Sequence, residues 1–297
     1  MISDFHTDVL TETTGELPQF YYDNNIITAV FRGDRSFSEA MKIAERGRLI
    51  AFEDVGYDDF DIDKLSAFNP IYVGLTWNGE NRFGFGCNYS DGLKPEGKRL
   101  ISLLNERNIA VDTAHISKGG FKDIIDKAKI VVNSHACFSG VYEHKRNIDD
   151  YQIKEIVERG GIIGVTFVGY FMTDNKKCEL SDLIRQIDYF CQKFGADNLA
   201  IGSDFYGTDF LPDGLDDYEG YDKVKRYLSV ILGYKNDDID GIEILNNYFE
   251  AIYTNKRARV RKERGSSRLR QQSVRKFNIV GITTVLLKFQ IIAQRSK

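Results

Sequence analysis

Three histidines and three carboxylates fall at the ends of short apolar runs. They are His6 and Asp8 in SDFHTDV, Glu53 after LIAF, His115 after IAVDTA, His135 after IVVNS, and Asp204 after LAIGS. The chain has only four histidines, so three of four occupy such positions. Imidazole nitrogen with carboxylate oxygen is a donor set that suits zinc or a similar first-row ion. Six donors are too many for one tetrahedral ion. Two ions roughly 3.5–4 Å apart, sharing a carboxylate, would use them all. Taken singly, each residue has a plainer explanation. A histidine at a strand end is often a satisfied polar group, Asp8 or Glu53 could cap a helix, and Asp204 could cap a loop. The joint pattern carries the argument, because unrelated polar residues need not all land at the same end of different strands.

The elements that must position them follow from the hydrophobic spacing. Between His115 and His135, apolar residues Phe121, Ile124, Ile125 and Ala128 recur at helical intervals. The stretch 109–135 therefore reads strand, helix, strand. A crossover helix between parallel strands brings both strand ends to one side of a sheet, so the two imidazoles should meet there. Alternate strand residues share a face, so His6 and Asp8 should point the same way. Further runs at 26–31, 49–52, 71–75, 162–168 and 199–203 alternate with helical segments at 36–46, 95–107, 149–159, 180–194, 223–232 and 237–253. Only the segment after strand one is poorly written for helix, because it holds Gly15 and Pro18. Eight runs over about 250 residues predict an α/β fold, a (β/α)8 TIM-like barrel with a basic C-terminal extension. A doubly wound open sheet is the other candidate, and no Gly-rich phosphate turn follows strand one to support it.

Composition is that of a soluble globular protein, with 42% hydrophobic and 28% charged residues in 297. Cys87, Cys137, Cys178 and Cys191 show no paired spacing, which fits free thiols and a cytoplasmic location. The first residues lack a basic segment followed by an apolar one, and no run is long enough to predict a membrane span. The net charge of −4 conceals a split. Residues 255–297 carry thirteen Lys or Arg against Glu263, a balance of +12 that leaves −16 for residues 1–254. A boundary is expected at 254, with a barrel before it and a basic tail after it. That tail could be a nucleic-acid arm or a membrane-surface anchor. It lacks interleaved aromatics, so no nucleic-acid partner is expected, and an appendage without fixed structure is the favoured reading.

At this point the sequence resembles the membrane (renal) dipeptidase family, zinc peptidases of the amidohydrolase superfamily. The matching stretches are Phe5-His6-Thr7-Asp8, the run ending at Glu53, Leu75-Thr76-Trp77-Asn78, the stretch 92–99 (GLKPEGKR), Val111 to Ser117, Asn133-Ser134-His135, Arg146 to Asp150, and Ile201 to Phe205. They occur in family order across about residues 3–250. The resemblance implies a binuclear zinc site in a barrel. His6 and Asp8 would hold one ion, His115 and His135 the other, and Glu53 would bridge them. It further implies that Asp204 is the catalytic aspartate and that Arg146 binds the substrate carboxylate. Hydrolysis of dipeptides by a hydroxide bridging two zinc ions is the implied activity, often with tolerance of a D-residue at the C-terminal position. A homodimer is an implied assembly.

The chain departs from the family pattern in three places. Trp77 stands where the family has a histidine that binds substrate or its oxyanion, and Asn78 is the nearest residue that could supply a hydrogen bond instead. Tyr206 replaces a second aspartate after Asp204-Phe205. The segment from Asp8 to Glu53 is short, which would open the cleft. Two other readings stand beside the dipeptidase: an amidohydrolase acting on another small amide, with Trp77 reshaping the pocket, and a metal-bound barrel that binds without catalysis.

Overall fold

Eight short β-branched runs pair in sequence order. In the computed structural model, which describes residues 3–12, 17–32, 42, 49–56, 61–63 and 68–227, the strands are β1 (Ser3–Thr7), β2 (Asn25–Phe31), β3 (Ile50–Glu53), β4 (Tyr72–Gly74), β5 (Ala110–Asp112), β6 (Val131–Ala136), β7 (Ile163–Val165) and β8 (Leu199–Ile201). Every neighbour pair is parallel and the order is β1 to β8 without interruption. β8 returns to β1: Asp204 N donates to His6 O at 3.1 Å and Asp8 N to Phe205 O at 2.9 Å. The sheet is thus the predicted (β/α)8 barrel and not an open doubly wound sheet.

Numbered among the described residues, the helices are α1 (Val9–Glu12), α2 (Gln19–Asp23), α3 (Pro95–Arg107), α4 (Lys118–Lys127), α5 (Asp150–Glu158), α6 (Leu180–Phe194) and α7 (Tyr221–Arg226). Their ends follow from local chemistry. Pro95 opens α3, where its missing N–H costs nothing. Ser117 caps α4 by accepting from Gly120 N, and Asp149 with Gln152 forms a capping box on α5. The weakly written segment after β1 holds only the short α1 and α2 among its described residues. The expected helix at 36–46 apart from residue 42, the second half of that at 223–232, the helix at 237–253, the boundary at 254 and the basic tail lie outside the described residues. Among the described residues no helix is long and apolar enough to cross a membrane.

The barrel buries two apolar layers. One residue from each strand or its edge forms the inner layer: Phe5, Ile27, Ala51, Tyr72, Ala110, Val132, Ile162 and Ala200. The opposite strand faces, such as Phe52, Val111, Val131 and Leu199, pack with the helices through Leu104, Ile124, Ile156 and Phe190. Short side chains make room at one side. A Cβ on Gly164 or Gly202 would strike the Ser134 carbonyl.

Two β-bulges interrupt the ladder, and both lie at a histidine. The pairs Asp4–Ile26 and Thr7–Thr28 leave one extra residue on β1. The pairs Asn133–Ile163 and Ala136–Val165 leave one extra residue on β6. Plain alternation would turn His6 away from Phe5. With the bulge, Phe5 stays in the inner layer while His6 enters the mouth, its ring centroid 4.0 Å from that of His135. Replacing Gly202 by Ala should cost about 2 kcal/mol or more of stability, because the clash is with backbone that cannot yield cheaply. A urea midpoint equal to that of the parent protein would contradict this packing.

Candidate metal centre

The three strand-end imidazoles are held by the same device. Each Nδ1 meets an oxygen whose own proton is committed elsewhere or which has none. The Tyr72 hydroxyl donates to Phe5 O at 2.9 Å, so it accepts from His6 Nδ1 at 2.9 Å. The Ser134 hydroxyl donates to Asp112 Oδ2 at 2.6 Å, so it accepts from His135 Nδ1 at 2.8 Å. Asn78 Oδ1 accepts from His115 Nδ1 at 2.8 Å and from the Cys87 thiol at 3.0 Å. In all three rings the proton therefore sits on Nδ1, and the Nε2 lone pair is left for the mouth of the barrel.

Those lone pairs converge on carboxylates. His115 Nε2 lies 2.9 Å from Glu53 Oε1 and 2.8 Å from His135 Nε2. His6 Nε2 lies 3.3 Å from Asp8 Oδ1, 3.3 Å from Glu53 Oε2 and 3.7 Å from Asp204 Oδ1. Glu53 thus turns one oxygen to each of two histidines. Three overlapping donor groups result: His6, Asp8 and Glu53; Glu53, His115 and His135; and His6, His135 and Asp204. With the protons on Nδ1, acceptors face acceptors across a buried space. His6 Nε2, Asp8 Oδ1 and Glu53 Oε2 are buried without a hydrogen-bond partner. Only positive charge makes such a cluster favourable, and divalent ions fit both the atoms and the spacing.

The electrostatics agree. Burial opposes charge on His6, but Tyr72, Asp8 and Glu53 outweigh it and hold its pKa well above the ordinary histidine range. Burial also raises Glu53, but His115 and His6 outweigh it and hold Glu53 well below the usual carboxylate range. Burial, reinforced by the Arg146 cation, lowers His115 to about 4. His135 is likewise held well below its normal value, first by burial. Asp204 is pushed up to about 8 by burial and by the neighbouring Asp8 carboxylate. A basic carboxylate beside a cation site is suited to accept a proton near neutrality.

The sequence-identified residues therefore divide into groups. His6, Asp8, Glu53, His115, His135 and Asp204 meet in one buried cluster. Arg146 is buried next to it, with Nη2 donating to His135 O at 3.0 Å and the guanidinium 5.2 Å over the Phe171 ring. It lines a cavity of about 170 Å³ that also reaches His115. Trp77 sits at the mouth, 38% exposed, with its ring 5.9 Å from His115 and Arg32 5.1 Å over its face. The Asn78 side-chain oxygen is taken by His115 and Cys87.

Several residues that set this geometry were not singled out from sequence. Asp112 Oδ1 accepts from Ser134 N at 2.8 Å and from Ala114 N at 3.1 Å. Asp4 repeats the arrangement across the barrel. Its Oδ1 accepts from Ser203 N at 2.9 Å and from His6 N at 3.2 Å, and its Oδ2 from Ser203 Oγ at 2.5 Å. Each clamp ties a serine to the strand beside it, and the next residue is His135 or Asp204. The available signal was an aspartate inside each apolar run, since a carboxylate on a buried strand needs partners. Gly207 is a second omission. A Cβ there would lie 2.6 Å from Asp8 Oδ2 and closer still to Asp204 Oδ1.

A family model described as membrane dipeptidase (peptidase family M19) matches residues 55–282. The chain belongs to that family. The match begins just past Glu53, so the positions of His6, Asp8 and Glu53 rest on the fold itself. A curated relative, an uncharacterized protein in the pqqA 5' region of Klebsiella pneumoniae, is 32% identical over 173 residues, covering 54% of this chain. The chain spans 64% of that relative's length. Among solved structures, a metallopeptidase from Rhodobacter sphaeroides liganded with a phosphinate mimic of the dipeptide L-Ala-D-Ala superposes with a TM-score of 0.69 at 18% identity, over 81% of this chain and 95% of that one. Dipeptidase AC, a metallopeptidase of family M19, gives 0.66 at 20% identity over 73% of this chain and 81% of that one. At these identities the superpositions establish a shared fold.

Ser134→Ala removes the acceptor that fixes the His135 tautomer and leaves Asp112 short of a donor. Metal affinity, read by competition with a chelator, should fall about 10–100-fold while the circular dichroism spectrum stays that of the parent. Unchanged affinity would show that the clamp does not orient the ligand.

Proposed function

We propose that the chain is a metal-dependent dipeptidase using two zinc ions. The observation that carries this reading is Glu53, which offers Oε1 beside His115 and Oε2 beside His6. One carboxylate shared between two three-donor groups is what a pair of ions requires. In this reading His6 and Asp8 serve one ion, His115 and His135 the other. Bound ions supply Lewis acidity that polarises the scissile carbonyl and acidifies the attacking water. Asp204, beside the cluster, takes the proton from that water and returns it to the leaving amine nitrogen. Arg146 grips the substrate's free carboxylate, with the His135 carbonyl fixing one end of the guanidinium. That grip restricts the substrate to short peptides. The phosphinate dipeptide mimic in the Rhodobacter sphaeroides protein supports dipeptides, including those ending in a D-residue. We assign the activity to residues 1–254.

Trp77 favours a second reading, hydrolysis of another small amide. It fills the mouth beside His115 where the family resemblance leads one to expect a histidine.

One preparation tests both readings. Metal content and turnover of a mixed L-L and L-D dipeptide panel are measured together. About two zinc per chain with turnover of any dipeptide is expected. Full loading with hydrolysis of an acylated amino acid but of no dipeptide would replace the first reading by the second. Loading without any hydrolysis would leave a binding protein, and no metal would overturn the assignment of the centre.

Arg146→Met should raise KM about 100-fold or more and spare metal content, since a charge-assisted contact to a carboxylate is lost in a buried site. An unchanged KM would remove Arg146 from substrate recognition.

A further inference from the structure

The cavity beyond His115 has an unusual wall. Arg146, Lys145 and Lys118 all line it, and no aspartate or glutamate does. The chain as a whole carries more acids than bases, so this is not its average surface. Two of these cations, the exposed Lys145 and the buried Arg146, meet neutral oxygens. Lys145 Nζ donates to Asn88 Oδ1 at 2.5 Å, and Arg146 Nη2 donates to the His135 carbonyl. Arg146 Nε is buried with no hydrogen-bond partner. Lys118 stands at the exposed rim, 3.5 Å from Asp149. Two consecutive cations, Lys145 and Arg146, therefore line a small cavity that reaches His115.

We propose that this cavity receives the C-terminal residue of the substrate and selects an acidic side chain, so that the preferred substrates are dipeptides ending in aspartate or glutamate. Lys145 is the specificity-determining residue. The proposal rests on the dipeptidase reading above. Arg146 takes the main-chain carboxylate, and a second carboxylate replaces the neutral Asn88 oxygen on Lys145 by a charge-assisted contact. A cavity of about 170 Å³ accommodates one side chain of that size. A basic side chain would meet three like charges, and an amide would gain only neutral hydrogen bonds.

The test compares Ala-Asp with its near-isostere Ala-Asn on the zinc-loaded protein, with the second residue in both configurations. The ratio of kcat/KM should favour aspartate about tenfold at low ionic strength and shrink in about 1 M salt, where the screening length falls to about 3 Å. Lys145→Gln should reduce that ratio to near unity. A binding arm keeps the proposal independent of turnover: calorimetric titration of the same protein with free aspartate and free asparagine should show the same preference. Turnover of Ala-Asn equal to that of Ala-Asp, or a ratio untouched by Lys145→Gln, would overturn the acidic pocket while leaving the dipeptidase reading intact. Tighter binding of aspartate with no hydrolysis of any dipeptide would uphold the pocket and overturn the dipeptidase reading. Equal binding of the two amino acids without hydrolysis would overturn both.

Discussion

The carboxylate of Asp112 accepts hydrogen bonds from Ser134 N, Ser134 Oγ and Ala114 N, and the carboxylate of Asp4 does the same with Ser203 N, Ser203 Oγ and His6 N. Tyr218 adds a further hydroxyl to Asp4 at 2.9 Å. Both acids are buried, and burial raises their pKa, so their partners are what make them tolerable in the fold. Each one adds side-chain hydrogen bonds across a strand pair, Asp112 on β5 to Ser134 on β6 and Asp4 on β1 to Ser203 just past β8. The bulges at His6 and His135, and the left-handed backbone of His115 and Asp204, both at φ 62°, lie next to these clamps. A non-glycine residue with that backbone costs energy, which the surrounding hydrogen bonds must outweigh. Remove the clamps and the barrel would retain its apolar layers but lose the reason for its mouth to have this shape.

Charge explains why the cluster is stable only in one sense. Three acids and three imidazoles share the mouth, and the Nδ1 partners consume the imidazole protons. What remains is a set of lone pairs and anions in a buried space, where unpaired charge is expensive. A proton on His6 relieves part of this, which is why Asp8 and Glu53 draw its pKa up. Divalent ions would relieve more. The same field sets Asp204 apart. It lies at the edge of the cluster, 3.7 Å from His6 Nε2 against 2.9 Å between Glu53 and His115, so burial and repulsion from Asp8 raise it while Glu53 is held low. Two carboxylates in one cavity are thereby given different basicities, which is the condition for one to hold charge and the other to move protons.

Much of this was legible in the sequence because parallel strands deliver their carboxyl ends to one side. Given eight β-runs in alternation with helices, His6, Glu53, His115, His135 and Asp204 had to arrive at one mouth. Alternation also pairs His6 with Asp8, and the two do approach within 3.3 Å. What the pattern could not show is how His6 and Phe5, adjacent in sequence, both turn inward. That depends on an extra residue in β1 relative to β2, a property of pairing and not of either strand alone. The Nδ1 partners were equally hidden. Tyr72 reads as an ordinary strand aromatic, yet its hydroxyl spans 66 positions to reach His6. Asn78 was expected as a possible source of a hydrogen bond to substrate, and the contact of its oxygen with His115 left no mark in the sequence. Gly207 carries no motif; its role is the space it leaves beside Asp8 and Asp204. Long-range contacts and absent side chains leave no local trace.

In the proposed reading, one hydrogen bond links substrate recognition to the metal centre. Arg146 lies eleven positions after His135 in the chain, and its guanidinium returns to the carbonyl of that same histidine. The imidazole of His135 and the anchor of Arg146 therefore belong to one residue. Any shift of β6 moves the ligand and the carboxylate grip together, which preserves the distance from the gripped carboxylate to the polarised carbonyl. That distance is what defines a dipeptide, since a longer peptide places its carboxylate too far from the bond to be cut. Rigid coupling also holds the reacting groups in place, and positioning of this kind accounts for a large share of what an enzyme contributes. The Asp112 clamp, which fixes Ser134 and through it His135, thus governs substrate register as well as metal geometry.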